Sequence, residues 1–219
     1  MTAAAIANPG MSAWAALVER AHVAPGETVL VNGATGTAGR IAVQLAKHLG
    51  AAKVIATGRN LKELEEMKAL GANCVIPFTI NTDHPSGAHD YEEALKQTFT
   101  EGIDIVVDYL WGKTAETVLV ALAKTVEDNP VRFVQVGGSS GEVKIELPGA
   151  VLRSAAINLM GSGVGSVSRK GLVQAIAHVF HAVGPAGLQI ATRVEPLANV
   201  EKVWEKATGK PRVVFTIGY

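Results

Sequence analysis

The chain has 219 residues, of which 48% are hydrophobic and 18% are charged, so it can bury a sizeable core in one or two domains. Twenty basic and twenty acidic residues leave no net charge, which argues against sequence-blind electrostatic binding to nucleic acid or to an anionic membrane. The expected partner is therefore a small molecule or another protein.

The order of apolar and helical segments along the chain predicts the fold. Apolar runs alternate with stretches of helical period, which indicates a parallel sheet covered by helices on both faces. Strands are predicted at residues 27–32, 53–58, 73–78, 104–110, 132–137 and 157–163. Helices are predicted at residues 12–22, 61–70, 91–99, 114–126, 168–183 and 198–208, with one more that ends near residue 49. Ser12 would be the N-cap of the first of them. The segment between the fifth and sixth strands is predicted to be irregular, and residues 211–219 to be a final strand. The fold class is therefore α/β, a doubly wound parallel sheet of six strands of the Rossmann type.

A glycine-rich turn lies between the first strand and the next helix. The sequence VNGATGTAGR places Gly33, Gly36 and Gly39 in a GxxGxxG spacing directly after an apolar run. Glycines in such a turn leave backbone N–H groups and a helix N-terminus open to a diphosphate. Gly33 would allow the tight turn, Gly36 the approach of the main chain to the diphosphate, and Gly39 the close packing of helix and sheet. The turn is a predicted dinucleotide-binding site, with a tight turn that binds no ligand as the alternative.

The end of the second strand indicates which nicotinamide cofactor is bound, because that position faces the adenosine ribose. An Asp or Glu there would accept hydrogen bonds from the free 2′-hydroxyl of NAD. The sequence TGRN instead places Arg59 there, followed by Asn60 and Lys62. A guanidinium binds phosphate through parallel charge-assisted hydrogen bonds, so the sequence favours NADP(H). The alternative is that Arg59 is a solvated loop residue.

With these motifs, the chain resembles the medium-chain dehydrogenase/reductase superfamily, and most of all its zinc-independent quinone oxidoreductase and enoyl reductase branch. The stretches that carry the resemblance are NPGMSAWAAL (8–17), PGETVLVNGATGTAGRIAVQLAKHLGA (25–51), KVIATGRN (53–60), LGANCVI (70–76), DIVVDYLWG (104–112) and VQVGGSSGE (134–142). The glycine turn matches the AxxGxxG motif of the family, except that Gly33 replaces the alanine. The resemblance implies NADP(H) as cofactor and hydride transfer to a quinone or to an α,β-unsaturated carbonyl compound.

The resemblance also implies where each part of the cofactor lies. Residues 36–38 would hold the diphosphate, Arg59 and Asn60 would contact the 2′-phosphate, and Phe78 would lie near the adenine. The turns after the fourth and fifth strands would lie along the nicotinamide. The cofactor-binding residues predicted in this way are Gly33, Thr35, Gly36, Thr37, Ala38, Gly39, Arg59, Asn60, Phe78, Leu110, Trp111, Val136, Gly137, Gly138 and Ser139.

A further implication of the resemblance is a missing catalytic domain. The β-rich catalytic domain of the family precedes the cofactor domain, and here only MTAAAIA precedes residue 8. The expected organisation is a connecting helix at residues 1–24, an NADP-binding Rossmann domain at residues 25–184 and a segment at residues 185–219 that returns to the absent half. We expect the chain to be inactive alone, and no catalytic residue is identified.

Other patterns are weaker functional candidates. Tyr109 and Lys113 have the YxxxK spacing of short-chain reductases, but Gly112 interrupts the helix on which both should lie. His178 and His181 share one helix face, but no third ligand is in register, so no metal is predicted.

Several single residues and one loop are interpreted as structural. The loop at residues 81–90 is interpreted as solvated, and Cys74 as a small buried side chain. Asp108, at the end of the fourth strand, would cap or position a loop.

Two alternative functions remain: a non-catalytic NADP(H)-binding or redox-sensing module, and an atypical short-chain reductase. The sixth strand would form a sheet edge, so a homodimer through that strand is expected. A single cysteine excludes an internal disulfide, and residues 1–10 lack the basic region and apolar core of a signal peptide. No stretch is long enough to span a membrane, so the expected location is the cytoplasm.

Overall fold

The computed structural model of the chain describes residues 2–80, 84, 86–127, 129–207 and 209–217. Its main sheet consists of β1 (Thr28–Asn32), β2 (Lys53–Gly58), β3 (Cys74–Pro77), β4 (Ile105–Asp108), β5 (Val131–Gln135) and β6 (Ile157–Gly161). All neighbouring strands are parallel, and their order is β3-β2-β1-β4-β5-β6. This order is that of a doubly wound sheet, so the predicted Rossmann-type fold is confirmed.

The central strand β1 determines where the crevice of the fold opens. It pairs with β2 on one side and with β4 on the other, and its Val29, Leu30 and Val31 are fully buried because helices cover both faces of a parallel sheet. The winding direction changes between β1 and β4, so the crevice opens at the carboxyl ends of these strands. The register places Asn32 beside Thr57 and Asp108 at that edge.

Helices cover the two faces of the sheet. They are α1 (Thr2–Trp14), α2 (Thr37–His48), α3 (Leu61–Ala69), α4 (Gly87–Phe99), α5 (Gly112–Thr125), α6 (Gly149–Ser154), α7 (Arg169–Ala182) and α8 (Val200–Trp204). One apolar cluster packs α1, α2, α3 and α7 against one face. A second cluster packs α4, α5 and α6 against the other face. Among the described residues, no helix combines the length and the apolar character that a membrane crossing needs.

The helix ends follow the expected chemistry. Gly50 and Gly71 lie two residues after the ends of α2 and α3, with φ angles of 94° and 112°, and glycine adopts this left-handed region without strain. Ser168 caps α7 by accepting a hydrogen bond from the Gly171 N–H at 3.0 Å.

The prediction that the first helix starts near residue 12 is wrong. Helix α1 starts close to the N-terminus, runs through Pro9 and is followed by a π-helical segment, Ala15–Arg20. Ser12 is therefore no N-cap, and its hydroxyl donates to the Pro9 carbonyl at 3.0 Å. Tertiary packing accounts for the longer helix, because α1 buries Ala5, Ile6, Pro9, Gly10 and Ala13 along one face, and a Cβ on Gly10 would lie 2.5 Å from Val179 of α7. The sequence pattern gave no sign of this close contact.

The C-terminal residues form a separate parallel sheet of two strands, β7 (Thr192–Pro196) and β8 (Arg212–Thr216). A 3₁₀ turn (Leu197–Asn199) and α8 connect them. The helix predicted at residues 198–208 is shorter than expected. Residues 208, 218 and 219, which the predicted helix and final strand include, lie outside the described residues.

Two further segments differ from the prediction. Helix α6 lies in a stretch predicted to be irregular. Helix α4 begins within the loop predicted for residues 81–90, and residues 81–83 and 85 of that loop lie outside the part of the chain that the structure describes.

Candidate functional site

The glycine-rich turn between β1 and α2 lies in the middle of the carboxyl edge of the sheet. Gly33 follows Asn32 with a φ angle of 86°, a conformation that a side chain rarely allows. Two backbone hydrogen bonds fix the turn: the Ala34 N–H donates to the Thr57 carbonyl at 2.9 Å, and the Gly36 N–H donates to the Gly33 carbonyl at 3.2 Å. The chain therefore makes the tight turn predicted at Gly33.

The other two glycines of the motif have different surroundings. A Cβ on Gly39 would lie 2.4 Å from the Gly33 carbonyl oxygen and 2.7 Å from the Ala34 Cα, and neither backbone atom can move without opening the turn. A Cβ on Gly36 would meet only the Gly33 carbonyl oxygen, at 3.4 Å. Gly39 thus allows close packing of α2, whereas Gly36 leaves the main chain open to a ligand.

The N-terminus of α2 is electrostatically suited to an anion. Gly36 is its N-cap residue and offers no side chain, and no acidic residue lies in the first turn. The N–H groups of that turn, including those of Thr37 and Ala38, have no partner within the helix. The helix macrodipole adds positive potential at the same place, so this end of α2 can bind a phosphate group.

The turn forms one wall of an open crevice with a volume of about 490 Å³. Ten of the fifteen predicted cofactor-binding residues line this crevice, and they follow five different strands. These residues are Gly33, Thr35, Gly36, Thr37, Ala38, Gly39, Arg59, Phe78, Leu110 and Ser139.

The remaining five predicted residues do not line the crevice. They are Asn60, Trp111, Val136, Gly137 and Gly138. Asn60 caps α3 by accepting a hydrogen bond from the Glu63 N–H at 3.2 Å, and Trp111 and Val136 pack against the two apolar clusters. The sequence places these residues in the right turns, but it does not tell which way each side chain faces.

Arg59 presents an unpaired guanidinium at the mouth of the crevice. It follows β2, is exposed, and forms no salt bridge or hydrogen bond with any residue that the structure describes. Arg40, on α2, is in contrast paired with Glu66 at 2.8 Å. The charge of Arg59 is therefore available to an anion in the crevice, whereas that of Arg40 is largely neutralised.

Three lining residues were missed by the sequence analysis: Gly58, Tyr109 and Lys210. Gly58 ends β2, and a Cβ at this position would lie 2.9 Å from the side chain of Thr35. Because Gly58 directly precedes Arg59, the sequence offered a signal that Gly58 lines the crevice. Lys210 reaches the crevice from the C-terminal segment, where its Nζ lies 2.8 Å from a Glu63 carboxylate oxygen. No local sequence signal reveals such a distant contact.

A larger cleft of about 690 Å³ adjoins the crevice, between α2, α3 and the C-terminal segment. It shares Thr37 and Lys210 with the crevice, and Thr37 Oγ1 donates to the Gly209 carbonyl at 3.1 Å. Its walls include the paired Arg40 and Glu66, and they lack the open glycine backbone. The smaller crevice is therefore the better candidate for a phosphate-containing ligand.

The Tyr109–Lys113 pair and His178, the weaker candidates from the sequence, have structural surroundings that do not indicate a catalytic or metal site. Burial raises the pKa of the Tyr109 hydroxyl, and Lys113 forms a salt bridge with Glu116 at 2.7 Å. These two residues are therefore not arranged as a reductase pair. His178 stacks on Trp14 with ring centroids 5.1 Å apart. Among the described residues, no group of three or more His, Cys, Asp or Glu side chains could hold a metal ion.

Asp108 is a fully buried carboxylate below the crevice. Burial raises its pKa to about 6, and hydrogen bonds from the Leu110 N–H, the Asn32 amide and the Trp111 N–H oppose part of that rise. Asp108 thus positions the turn after β4, as its place at the end of that strand predicts.

Comparison with known proteins shows that the chain is similar to dehydrogenases and reductases. Residues 38–181 match the family model described as zinc-binding dehydrogenase. A probable NADPH-dependent quinone reductase, tdiC, of Emericella nidulans is 33% identical over 97% of this chain and 60% of that protein. The (+)-pulegone reductase of Mentha piperita is 36% identical over 51% of this chain and 30% of that protein. The chain therefore spans at most 60% of the length of these relatives.

The fold is also found in solved structures. A mycobacterial quinone oxidoreductase structure superposes with a TM-score of 0.82 and 23% identity, covering 98% of this chain and 64% of that chain. At this level of identity the likeness shows the fold.

Gly39→Ala should destabilise the protein by at least about 1 kcal/mol, because the added methyl group meets backbone atoms that cannot yield. Gly36→Ala is the matched control and should unfold within about 0.5 kcal/mol of the wild type. Urea denaturation followed by circular dichroism measures both. Equal stability of the two variants would contradict the assigned packing roles.

The raised pKa of Asp108 predicts a pH dependence of stability. Between the usual pKa of aspartate and about pH 6, Asp108 is protonated in the folded protein but ionised in the unfolded chain. Its contribution to the free energy of unfolding is therefore largest below about pH 4 and is lost as the pH rises through 6. The free energy of unfolding of the wild type, minus that of Asp108→Asn, should fall by about 2 kcal/mol between pH 4 and pH 7. Urea titrations across this range test it, and a difference that does not change with pH would contradict the assignment.

Proposed function

The chain belongs to the zinc-binding dehydrogenase family of the medium-chain dehydrogenase/reductase superfamily, and we propose that it is the NADP(H)-binding half of a reductase. The substrate would be a quinone or an α,β-unsaturated carbonyl compound. One observation carries the proposal: an uncapped helix N-terminus and an unpaired arginine lie on the same glycine-lined crevice. The names of the relatives, a quinone reductase among them, support the same reaction class.

The diphosphate of NADP(H) would bind at the first turn of α2. Gly36 leaves room for a phosphate beside the main chain, and the N–H groups of Thr37 and Ala38 would donate to its oxygens. No carboxylate lies in that turn to repel the charge. The residues present thus fit a diphosphate.

The preference for NADP(H) over NAD(H) would come from Arg59. Its guanidinium follows β2, where the adenosine ribose binds in this fold, and it can donate two parallel hydrogen bonds to a 2′-phosphate. No acidic side chain lines the crevice, so no carboxylate competes for that position among the described residues. Phe78, on the same side of the crevice, would contact the adenine.

The nicotinamide would lie toward the turns after β4 and β5. Leu110 and Ser139 line that end of the crevice, and the Ser139 N–H donates to the Tyr109 carbonyl at 3.0 Å, which joins the two turns. The bound cofactor supplies the hydride. The contribution of this chain is to bind the cofactor, orient it and exclude water from one of its faces.

A second, substrate-binding half completes the proposal. The related quinone reductase is longer than this chain, which covers 60% of it. Apolar side chains of the C-terminal segment also remain uncovered: Val194, Leu197 and Trp204 are 44%, 46% and 70% exposed. We assign this surface to contact with the substrate-binding half, whose residues would complete the active site.

Self-association and location form the last part of the proposal. Strand β6 is one of the two outer strands of the main sheet, and its Leu159 is 39% exposed, which supports a homodimer formed by pairing β6 with a second copy. The single cysteine is consistent with a reducing cytoplasm.

Arg59→Ala should weaken NADPH binding roughly 10- to 100-fold, because charge-assisted hydrogen bonds to the 2′-phosphate are lost. NADH binding should stay within about twofold, since NADH lacks that phosphate. Arg153→Ala, an exposed arginine of α6 away from the crevice, is the control. Fluorescence titration with both cofactors gives the comparison, and an unchanged NADPH preference in Arg59→Ala would remove the assignment.

Hydride transfer should require the complete protein. Adding a quinone to the NADPH complex of this chain should leave nicotinamide fluorescence decaying no faster than it does with free NADPH. The same addition to a full-length protein containing both halves should accelerate the decay. Persistent fluorescence in the full-length protein would favour the non-catalytic, redox-sensing alternative, and rapid decay with this chain alone would contradict the need for a second half.

A further inference from the structure

A buried polar network lies directly below the crevice, at the carboxyl ends of the central strands. Its centre is the side-chain amide of Asn32, whose Oδ1 accepts hydrogen bonds from Thr57 Oγ1 at 2.8 Å and from the Tyr91 hydroxyl at 3.2 Å. The Asn32 Nδ2 donates to Asp108 at 2.7 Å and to Thr114 Oγ1 at 3.3 Å. Both ends of the amide are therefore satisfied, which fixes its orientation.

The Asp108 carboxylate accepts three hydrogen bonds and donates none. Its Oδ1 accepts from Asn32 and from the Leu110 N–H at 3.1 Å, and its Oδ2 accepts from the Trp111 N–H at 3.0 Å. An asparagine at this position would place an N–H group against at least one of these donors. Only a carboxylate satisfies all three.

The turn that Asp108 holds has an unusual backbone. Trp111 has φ and ψ angles of 64° and −163°, a conformation that residues other than glycine rarely adopt and that persists only when the surroundings enforce it. Asp108 holds its N–H, and Thr114 Oγ1 donates to its carbonyl at 2.9 Å. The network thus binds both polar groups of the strained residue.

The strained turn touches both ends of the crevice. The Leu110 side chain packs onto the glycine turn, since a Cβ on Gly33 would lie 2.9 Å from its Cγ and Cδ2 atoms. On the other side, the Ser140 N–H donates to the Leu110 carbonyl at 3.1 Å, and this hydrogen bond ties the turn after β5 to the turn after β4. The position of Leu110 therefore sets the width of the crevice between its diphosphate and nicotinamide ends.

We propose that Asn32, Asp108 and Thr114 are positioning residues that hold the Leu110–Trp111 turn in its strained form and so shape the nicotinamide end of the crevice. This inference rests on the proposed NADP(H) function. The side-chain hydrogen bonds of the network reach the Leu110–Trp111 turn directly, and none of them reaches Arg59 or the first turn of α2. Loss of the network therefore affects nicotinamide binding selectively.

The protonation of Asp108 gives the network a signature that needs no cofactor. Burial raises its pKa to about 6, and a protonated carboxyl loses acceptor capacity toward the turn. Tyr91, on α4, is the titratable side chain that faces the network, and burial raises its pKa so that it stays protonated. Asn32 on β1, Gln135 on β5 and Thr114 on α5 carry no charge. The amide proton shifts of Leu110 and Trp111 should therefore titrate near pH 6.

The test compares NADPH with 2′-phospho-ADP-ribose, which has the same phosphates but no nicotinamide. Asp108→Asn should weaken NADPH binding by about tenfold, because its new N–H group displaces the turn, and should leave 2′-phospho-ADP-ribose within about twofold of the wild type. The titration of the two amide shifts near pH 6 should disappear in the same variant. Unchanged NADPH affinity, or equal loss of both ligands, would overturn the proposal.

A milder pair of variants covers the case in which Asp108→Asn does not fold. Thr114→Val removes the hydrogen bond to the Trp111 carbonyl and the one from the Asn32 amide, and it should weaken NADPH binding about threefold while sparing 2′-phospho-ADP-ribose. Thr117→Val, on the same helix, removes only a bond to the Lys113 carbonyl and should change neither affinity. Equal behaviour of the two variants would overturn the proposal. If the wild type binds neither ligand, the proposed function fails, and the pH titration of the Leu110 and Trp111 amides still tests the network.

Discussion

The site depends on the close approach of α2 to the turn that precedes it. Gly39 lies so near the Gly33 carbonyl and the Ala34 Cα that no side chain fits between them. This approach brings the first turn of α2 to the carboxyl edge of the sheet, where its free N–H groups lie on the crevice. Gly36, which has open space around it, then leaves those groups accessible. The absence of three side chains thus creates the anion site.

Charge and buried polarity complete the crevice in different ways. At the mouth, Arg59 stays unpaired among the described residues, while Arg40 is held by Glu66. Below the floor, the Asn32 amide links three strand ends, and Asp108 holds a backbone that would otherwise relax. A free charge suits a phosphate that arrives from solvent, whereas a fully satisfied buried network suits a part of the protein that must not move.

The sequence predicted those features that depend on local patterns. Six apolar runs and the helical periods between them predicted the sheet, and the GxxGxxG spacing predicted the turn, because backbone geometry depends on nearby residues. The predicted start of α1 was wrong because the helix packs against α7, where Gly10 meets Val179, and this contact joins segments that are distant in the sequence. Lys210 reaches the crevice from the C-terminal segment, and Trp111 faces the core instead of the crevice, for the same reason. Position in a turn can be read from sequence, but the direction of a side chain depends on packing.

Amide chemical-shift mapping during an NADPH titration tests the central claim most directly. The largest shifts should occur at the Gly36, Thr37 and Ala38 amides and at the Arg59 Nε–H, because these groups would contact the phosphates. Unmoved signals at these four positions, with shifts concentrated instead around the cleft between α2, α3 and the C-terminal segment, would contradict it.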